Sequence, residues 1–290
     1  MTMKQAYRLL KLIISISFYL WDRILKLIKR MIGQACQGTC VVLLYHIVTQ
    51  KQLERFSQQM DDLISLATPV SVDITTQLEK DIHHVAVTFD DGYSCTIENI
   101  VPQLLKRKIP FTIFIPTGYL GKFPTWSCYF SKNCTQANII TVKQLEKIKD
   151  HELISFGSHS MSHQNFLHLN KYQVWEELLQ SKRSLEEILQ NQVRLFSFPY
   201  GEYNETLIGL TKQAGYKRVF TIEPVLAFTK LEEYVTGRIE VTPTDWRLEF
   251  KLKALGAYRW LPMATTLKNM IGNGINKFSG LINIKMSSKS

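Results

Sequence analysis

From about residue 40 onward, short apolar segments alternate with longer amphipathic ones, and this alternation limits the folds open to the chain. Strands that alternate with helices build parallel βαβ units. Six or seven such units fit into about 210 residues, fewer than the eight of the common α/β barrel. The sequence therefore predicts a distorted (β/α)7-type barrel. The predicted strands are Cys40–Tyr45, Val85–Phe89, Phe111–Ile115, Leu153–Phe156, Leu195–Phe198 and Arg218–Ile222, and the predicted helices are Leu53–Leu66, Thr96–Arg107, Val142–Lys149, Lys171–Leu189 and Glu205–Ala214.

The positive charge of the chain is concentrated at its two ends. The net charge is +10, to which residues 1–32 contribute +6 and residues 247–290 contribute +7, so that residues 33–246 carry −3. A mildly acidic centre without a recognisable binding motif argues against a nucleic-acid-binding protein. Basic ends around such a centre are typical of a catalytic unit held against an anionic surface. We therefore divide the chain into an N-terminal segment (1–32), a central domain (33–246) and a basic C-terminal extension (247–290).

The N-terminal segment has the pattern of an amphipathic helix. At about 100° per residue, its charged side chains occupy one sector roughly 120° wide, and the opposite face is apolar. The longest uncharged run, Leu12 to Trp21, has ten residues, whereas a membrane span needs about 20. We expect a peripheral helix on an anionic membrane surface, with the cytoplasmic face as one candidate side. A helix packed on the barrel and a signal anchor are the alternatives.

A pair of adjacent carboxylates follows the second predicted strand, in Thr88-Phe89-Asp90-Asp91-Gly92. Adjacent side chains of an extended segment point in opposite directions, so one aspartate can bind a metal while the other faces a substrate. An ordinary Asp-Gly turn would have the same sequence. The pair needs support from other segments.

Two histidines supply that support. His159 and His163 are four residues apart, a spacing that allows both imidazoles to reach one metal ion, although two surface histidines could share it by chance. A carboxylate and two histidines with an open position form a hydrolytic metal site.

In the third segment, Arg194 to Gly201, the arginine could hold a carboxylate by a bidentate hydrogen bond and the backbone N–H of Tyr200 could face an oxyanion.

Together the three segments resemble the motifs of the polysaccharide deacetylase family, carbohydrate esterase family 4. The matches are Thr-Phe-Asp-Asp-Gly, His-Ser-x-x-His and Arg-x-x-x-x-Pro-Tyr-Gly, and the resemblance covers about residues 40–245. It implies a divalent metal, with zinc as the expected ion, that activates water for attack on an acetyl carbonyl. The roles it implies are general base for Asp90, metal ligands for Asp91, His159 and His163, orientation of Asp90 for Arg194, and an oxyanion contact for the backbone of Tyr200.

The general acid of the family is absent from its usual place. A late Leu-x-His does not occur after residue 201, and the matching triplet is Leu44-Tyr45-His46 at the end of the first predicted strand. This arrangement resembles the circularly permuted branch that includes the poly-N-acetylglucosamine deacetylases. The resemblance implies that His46 is the acid, and a packed core histidine is the alternative.

The function implied is removal of N-acetyl groups from N-acetylhexosamine units of a surface or extracellular polysaccharide, or of its lipid-linked precursor. An O-acetyl carbohydrate esterase is the nearest rival, because such a site can attack either carbonyl. A catalytically silent carbohydrate-binding module is a second rival, but it would have no reason to retain Asp90. The loop 121–137 is expected to form a wall of the substrate groove, and Asp245 and Trp246 to anchor the start of the basic extension.

Overall fold

The computed structural model describes residues 2–126 and 138–266, so most of loop 121–137 and the end of the basic extension lie outside the described residues. Within the described ranges, nine strands pair in parallel to form one sheet. The strands are β1 (Thr39–Tyr45), β2 (Thr68–Pro69), β3 (His83–Phe89), β4 (Phe111–Ile115), β5 (Ile154–Ser158), β6 (Leu195–Ser197), β7 (Arg218–Phe220), β8 (Val235–Thr236) and β9 (Ile239–Glu240).

The two edges of this sheet are formed by neighbouring residues of the chain. The strand order is β8-β7-β6-β5-β4-β3-β1-β9, with β2 paired to β3. Gly237 and Arg238 alone separate β8 from β9, so one short segment brings both edges together and the sheet curls into a half-barrel. This architecture confirms the predicted distorted α/β barrel.

The helices between the strands also follow the predicted pattern, with bounds that differ by no more than three residues. Three two-residue strands were not predicted, because so short a segment shows no alternation of apolar and polar residues. The helices are α1 (Met3–Met31), α2 (Leu53–Leu66), α3 (Ser94–Lys106), α4 (Val142–Glu146), α5 (Lys171–Leu189), α6 (Glu205–Gln213) and α7 (Arg247–Ala254).

The start of the C-terminal extension folds onto the barrel. Arg247 and Lys251 of α7 pair with the buried Asp62 of α2 at 2.8 and 3.1 Å. Asp245 accepts a 2.7 Å hydrogen bond from Lys253, and Trp246 is the N-cap residue of α7. These contacts agree with the expected anchoring role of Asp245 and Trp246.

The N-terminal segment forms the expected long helix, α1. Thr2 caps it, since its side chain accepts a hydrogen bond from the backbone of Gln5, whose side chain accepts one from the backbone of Thr2. No helix in the described ranges combines the length and the apolar character needed to cross a bilayer.

Candidate active site

The residues singled out in the first two motifs, together with His46, lie at one end of the curled sheet. His46 directly follows β1, Asp90 and Asp91 follow β3, and His159 follows β5. These strands are close neighbours in the sheet, and the C-terminal ends of parallel strands meet at the same edge. The sequence therefore brings one imidazole, two carboxylates and a further pair of imidazoles to a common site.

Asp91, His159 and His163 form a compact, buried cluster. Asp91 Oδ1 lies 3.2 Å from His163 Nε2 and 3.7 Å from His159 Nε2. The three candidate ligand atoms all lie within 4.8 Å of one another. Ligands at about 2.0–2.2 Å from a tetrahedral ion are separated by roughly 3.3–3.6 Å, so a small divalent ion fits between them with little movement.

The surroundings of these three side chains prepare them to bind a metal. His159 Nδ1 lies 2.8 Å from the carbonyl of Ser197, which directs its Nε2 toward Asp91. Burial lowers the pKa of His159 to about 4, so this ring is neutral near neutral pH, as a metal ligand must be. Trp126 stacks on His163 with 4.0 Å between ring centroids and donates a 3.2 Å hydrogen bond to Asp91 Oδ1. The residues present therefore fit a divalent metal.

Asp90 points to a different partner, the buried Arg238. Arg238 Nη1 donates to Asp90 Oδ1 and Nη2 donates to Oδ2, both at 2.7 Å, and Ser197 Oγ donates to Oδ2 at 3.0 Å. Burial raises the pKa of Asp90, but Arg238 and then His159 outweigh it and hold that pKa below its usual value. Asp90 is thus a fixed, ionised carboxylate beside the cluster of Asp91, His159 and His163, 3.9 Å from His159 Nε2.

The assignment of Arg194 as the partner of Asp90 is wrong. Arg194 precedes β6 and therefore lies at the opposite end of the sheet from the site. Its guanidinium is exposed and contacts the side chain of Gln192 at 3.2 Å. The bidentate bond expected of Arg194 is made by Arg238, for which the sequence offers little signal beyond its place after the short apolar run that ends in Thr236.

The backbone of the site is held in conformations that side chains other than glycine adopt rarely. Asp91, Ser160, His163 and Tyr200 all have φ between 55° and 68°. Such conformations cost about 1–3 kcal/mol each and persist where the surroundings enforce them. Their concentration beside the cluster marks this end of the sheet as a functional site.

Glu177 on α5 enforces part of this geometry and was missed in the sequence. Its carboxylate accepts hydrogen bonds from the backbone of Met161 at 2.8 Å, the backbone of Ser162 at 2.9 Å and the hydroxyl of Ser162 at 2.5 Å. These bonds fix the loop that carries both histidines. The available signal was a charged residue on the apolar stripe of a helix, beside Val174 and Leu178.

His46 and Tyr200 border the cluster. His46 is half-buried and lies near Asp91. Burial raises the pKa of Asp91, but His163 first and then His46 outweigh burial and hold that pKa below its usual value. The ring of Tyr200 is half-exposed and lies 5.1 Å from the ring of His163. Gly201, the next residue, has φ +70°, and a Cβ there would lie 2.5 Å from Ile222, so this turn requires glycine.

Comparison with known proteins identifies the family. The polysaccharide deacetylase family model matches residues 77–219, a range that contains both motif aspartates, both histidines and Tyr200. The Bacillus subtilis protein YxkH, which carries the family's name, is 25% identical over 213 residues, 70% of this chain and 71% of its own length. A poly-beta-1,6-N-acetyl-D-glucosamine N-deacetylase of Staphylococcus aureus (strain N315) is 26% identical over 166 residues, 54% of each chain. The match thus spans about half the length of the Staphylococcus relative.

Solved structures agree in fold. IcaB from Ammonifex degensii aligns with a TM-score of 0.62 and 24% identity, over 77% of this chain and 98% of that one. The deacetylase PplD of Streptococcus pyogenes aligns with a TM-score of 0.61 and 20% identity, over 75% and 98%. These alignments show the fold, and the family model together with the sequence relatives leads to one conclusion: the chain carries a domain of the polysaccharide deacetylase family.

Proposed function

We propose that the protein is a metal-dependent deacetylase that removes N-acetyl groups from N-acetylhexosamine units of a polysaccharide. The observation that carries this proposal is that two adjacent aspartates have different partners. Asp91 faces two histidines in a cluster of metal-binding geometry, whereas both oxygens of Asp90 are held by Arg238. Amide hydrolysis needs an electrophile and a base side by side, and this site offers a place for each.

Asp91, His159 and His163 would hold the metal, and zinc is the ion that this set of one carboxylate and two imidazoles suits well. A divalent metal held by three ligands with an open position activates water and polarises a carbonyl, the two requirements for attack on an acetyl group. Two observations support this role: the neutral state of His159 leaves its Nε2 able to bind a metal, and the packing of Trp126 on His163 holds that ring in place.

Asp90 would take the proton from the attacking water. Asp90 Oδ1 accepts a bond from Arg238 and keeps a lone pair for the proton, whereas Oδ2 accepts from both Arg238 and Ser197, and these bonds prevent the carboxylate from rotating toward the metal ligands. Because its pKa lies below the usual value, Asp90 is ionised throughout the neutral range and ready to accept a proton.

His46 would deliver a proton to the departing amine. An amide nitrogen leaves readily only when it is protonated, and an imidazole can supply that proton. The position of His46 after β1, which lies between β3 and β9, supports the permuted arrangement in which an early strand carries the acid. The backbone N–H of Tyr200, held at positive φ, would face the oxyanion from the end of β6.

The substrate class comes from the relatives. The Staphylococcus relative acts, by its name, on poly-beta-1,6-N-acetyl-D-glucosamine, and we propose a polymer of that type, or its lipid-linked precursor, for this chain. An O-acetyl esterase would use the same metal and base but would depend less on His46. A silent binding module is disfavoured, because a buried Asp90–Arg238 pair costs desolvation energy that a module without chemistry has no reason to retain.

The test is acetate release from β-1,6-linked N-acetylglucosamine oligomers by the full chain, measured beside its metal content. We expect about one divalent ion per chain, and a His159→Ala, His163→Ala double variant should lose both metal and activity. Asp90→Asn should keep the metal and lose turnover by at least about 10²-fold. His168, which is exposed, provides the matched control, since His168→Ala should change neither quantity. Full metal content in the double variant, or metal loss in Asp90→Asn, would contradict the assignment.

A further inference from the structure

The long helix α1 is docked on the protein by its charged side. Arg8 Nε donates a 2.7 Å hydrogen bond to Glu249 of α7, and its guanidinium lies 4.3 Å from the ring centroid of Trp246. About two helical turns further along, the buried hydroxyl of Ser15 accepts a 2.9 Å hydrogen bond from Trp260. The docked face of α1 is therefore the face that carries its charges.

The C-terminal half of α1 continues this pattern. Asp22 pairs with Arg259, and Arg30 pairs with Asp81 at 3.1 Å. In the N-terminal half, Leu12 adds one buried apolar contact with Leu252 and its neighbours. The helix is thus fixed along its length by specific polar contacts.

The opposite face of α1 is apolar and faces outward, the reverse of the usual arrangement, in which an amphipathic helix turns its apolar stripe toward the core. At about 100° per residue, these apolar side chains fill a sector roughly 160° wide, centred opposite the docked charges. The exposed fractions are 60% for Tyr7, 53% for Leu10, 52% for Ile13, 54% for Leu20, 61% for Trp21, 51% for Ile24, 59% for Leu27 and 49% for Ile28.

We propose that this outward face of α1 binds the interfacial region of an anionic membrane. A 29-residue helix is about 44 Å long, and a continuous apolar stripe of that length is a large surface to leave in water. Charge identifies the occupant: Lys11 and Lys29 border the stripe on one side and Arg23 on the other, at the level of lipid headgroups when the stripe is immersed. A second copy of the chain would place the same cations against each other.

The docking geometry leaves the active site open when α1 lies on a membrane. Arg30 contacts Asp81, two residues before β3, so the C-terminal half of α1 lies at the end of the barrel where the strands begin. The catalytic cluster lies at the opposite end, after β3 and β5. The N-terminal half of α1 contacts Thr244 and Glu249, which follow β9 at the catalytic end, so α1 runs along the side of the barrel from one end to the other. A membrane bound through α1 therefore faces this side and not the mouth of the site, and a polymer near the surface can reach it.

The experiment measures co-sedimentation of the full chain with vesicles of phosphatidylglycerol and phosphatidylcholine, a readout that is independent of the deacetylase chemistry. Ile24→Glu and Ile28→Glu each remove an apolar side chain and add a carboxylate near anionic lipid, so each should weaken binding at least about tenfold. Leu231→Glu is the matched control, because Leu231 is 59% exposed outside α1 and should have no effect. Vesicle binding by Ile24→Glu and Ile28→Glu that is as strong as that of Leu231→Glu and the wild type would overturn the proposal.

Two further measurements separate the membrane from other occupants. Brominated lipid should quench tryptophan fluorescence, and Trp21→Phe should abolish most of that quenching; equal quenching in Trp21→Phe would overturn the proposed orientation. Sedimentation velocity without lipid tests whether a second copy of the chain binds this face. A dimer that Ile24→Glu dissociates, in a protein that does not bind vesicles, would also overturn the proposal. Vesicle-bound protein should retain its turnover of soluble oligosaccharide, and loss of turnover on binding would show that the membrane covers the site.

Discussion

Arg238 is the residue on which the orientation of the proposed base depends, and its replacement tests the site most directly. Its guanidinium is fully buried and donates hydrogen bonds to Asp90, Ser197, Thr88 and the carbonyl of Thr221. Arg238→Lys keeps the positive charge but loses the planar fork that holds both oxygens of Asp90. Arg238→Met removes the charge as well and leaves Asp90 buried without its ion-pair partner.

The two variants should differ in stability. Removal of one member of a buried ion pair costs about 3–5 kcal/mol, a large part of the roughly 5–15 kcal/mol that stabilises a typical domain. Arg238→Met should therefore lower the free energy of unfolding by that amount. Arg238→Lys should cost about 1–3 kcal/mol, the loss of one or two charged hydrogen bonds, and should remain folded for kinetics. Its kcat should fall at least about 10²-fold, because the base is no longer held toward the site.

The pH dependence gives a second, independent readout. Burial raises the pKa of Asp90 and Arg238 is the strongest opposing influence, so loss of Arg238 raises that pKa. A base must be deprotonated to act, and the acid limb of the kcat/KM profile of either variant should move to higher pH. A lowered folded-state pKa stabilises the fold above the ordinary value of about 3.9, and this contribution is lost as the pH falls. The stability difference between wild type and Arg238→Met should thus be largest near neutral pH and shrink below about pH 4.

The assays are urea unfolding, acetate release and metal content, each compared with Arg194→Lys and Arg194→Met. Arg194 is exposed at the other end of the sheet, so its variants should match the wild type in all three. Wild-type turnover in Arg238→Lys together with a large loss in Arg194→Lys would refute the geometry described above.

Two other residues carry predictions of their own. His46→Ala should retain metal and lose most activity on N-acetylated oligomers. An O-acetyl ester with a good leaving group should react almost as fast as with the wild type, because its leaving oxygen needs less protonation. Equal activity of variant and wild type on both substrates would contradict the role of His46 as the acid. Glu177→Gln should weaken metal affinity about 10–100-fold, since Glu177 fixes the histidine loop, without lowering turnover of the metal-loaded form. Glu176→Gln is the control, and equal metal affinity in the two variants would contradict this role.

The sequence predicted those parts of the site that follow strand ends. His46, Asp90 and His159 each come directly after a parallel strand, and the rule that such residues meet at one edge brings them together without knowledge of the fold's details. The role assigned to Arg194 from its motif conflicts with this rule. Arg194 precedes its strand, so the same rule places it at the far end of the sheet, where the structure has it.

Arg238 could not be found by the same reasoning, because its role depends on how the sheet closes. It lies between two strands of two residues each, which have no periodic signature, and its side chain reaches Asp90 across 148 positions of sequence. Only the curling of the sheet, which joins its two edges through Gly237 and Arg238, places the guanidinium inside the barrel. A long-range contact of this kind is a property of the topology, and local sequence patterns do not contain it.

The helix α1 shows the same limit from another side. Periodicity divides its residues correctly into a charged face and an apolar face, but it does not reveal which face contacts the protein. That choice depends on partners far along the chain, such as Glu249 for Arg8 and Arg259 for Asp22. Because those partners bind the charges, the apolar face of α1 points outward. An amphipathic pattern usually indicates that the apolar face packs on a core, but here that face remains exposed and forms the surface for which we propose a membrane.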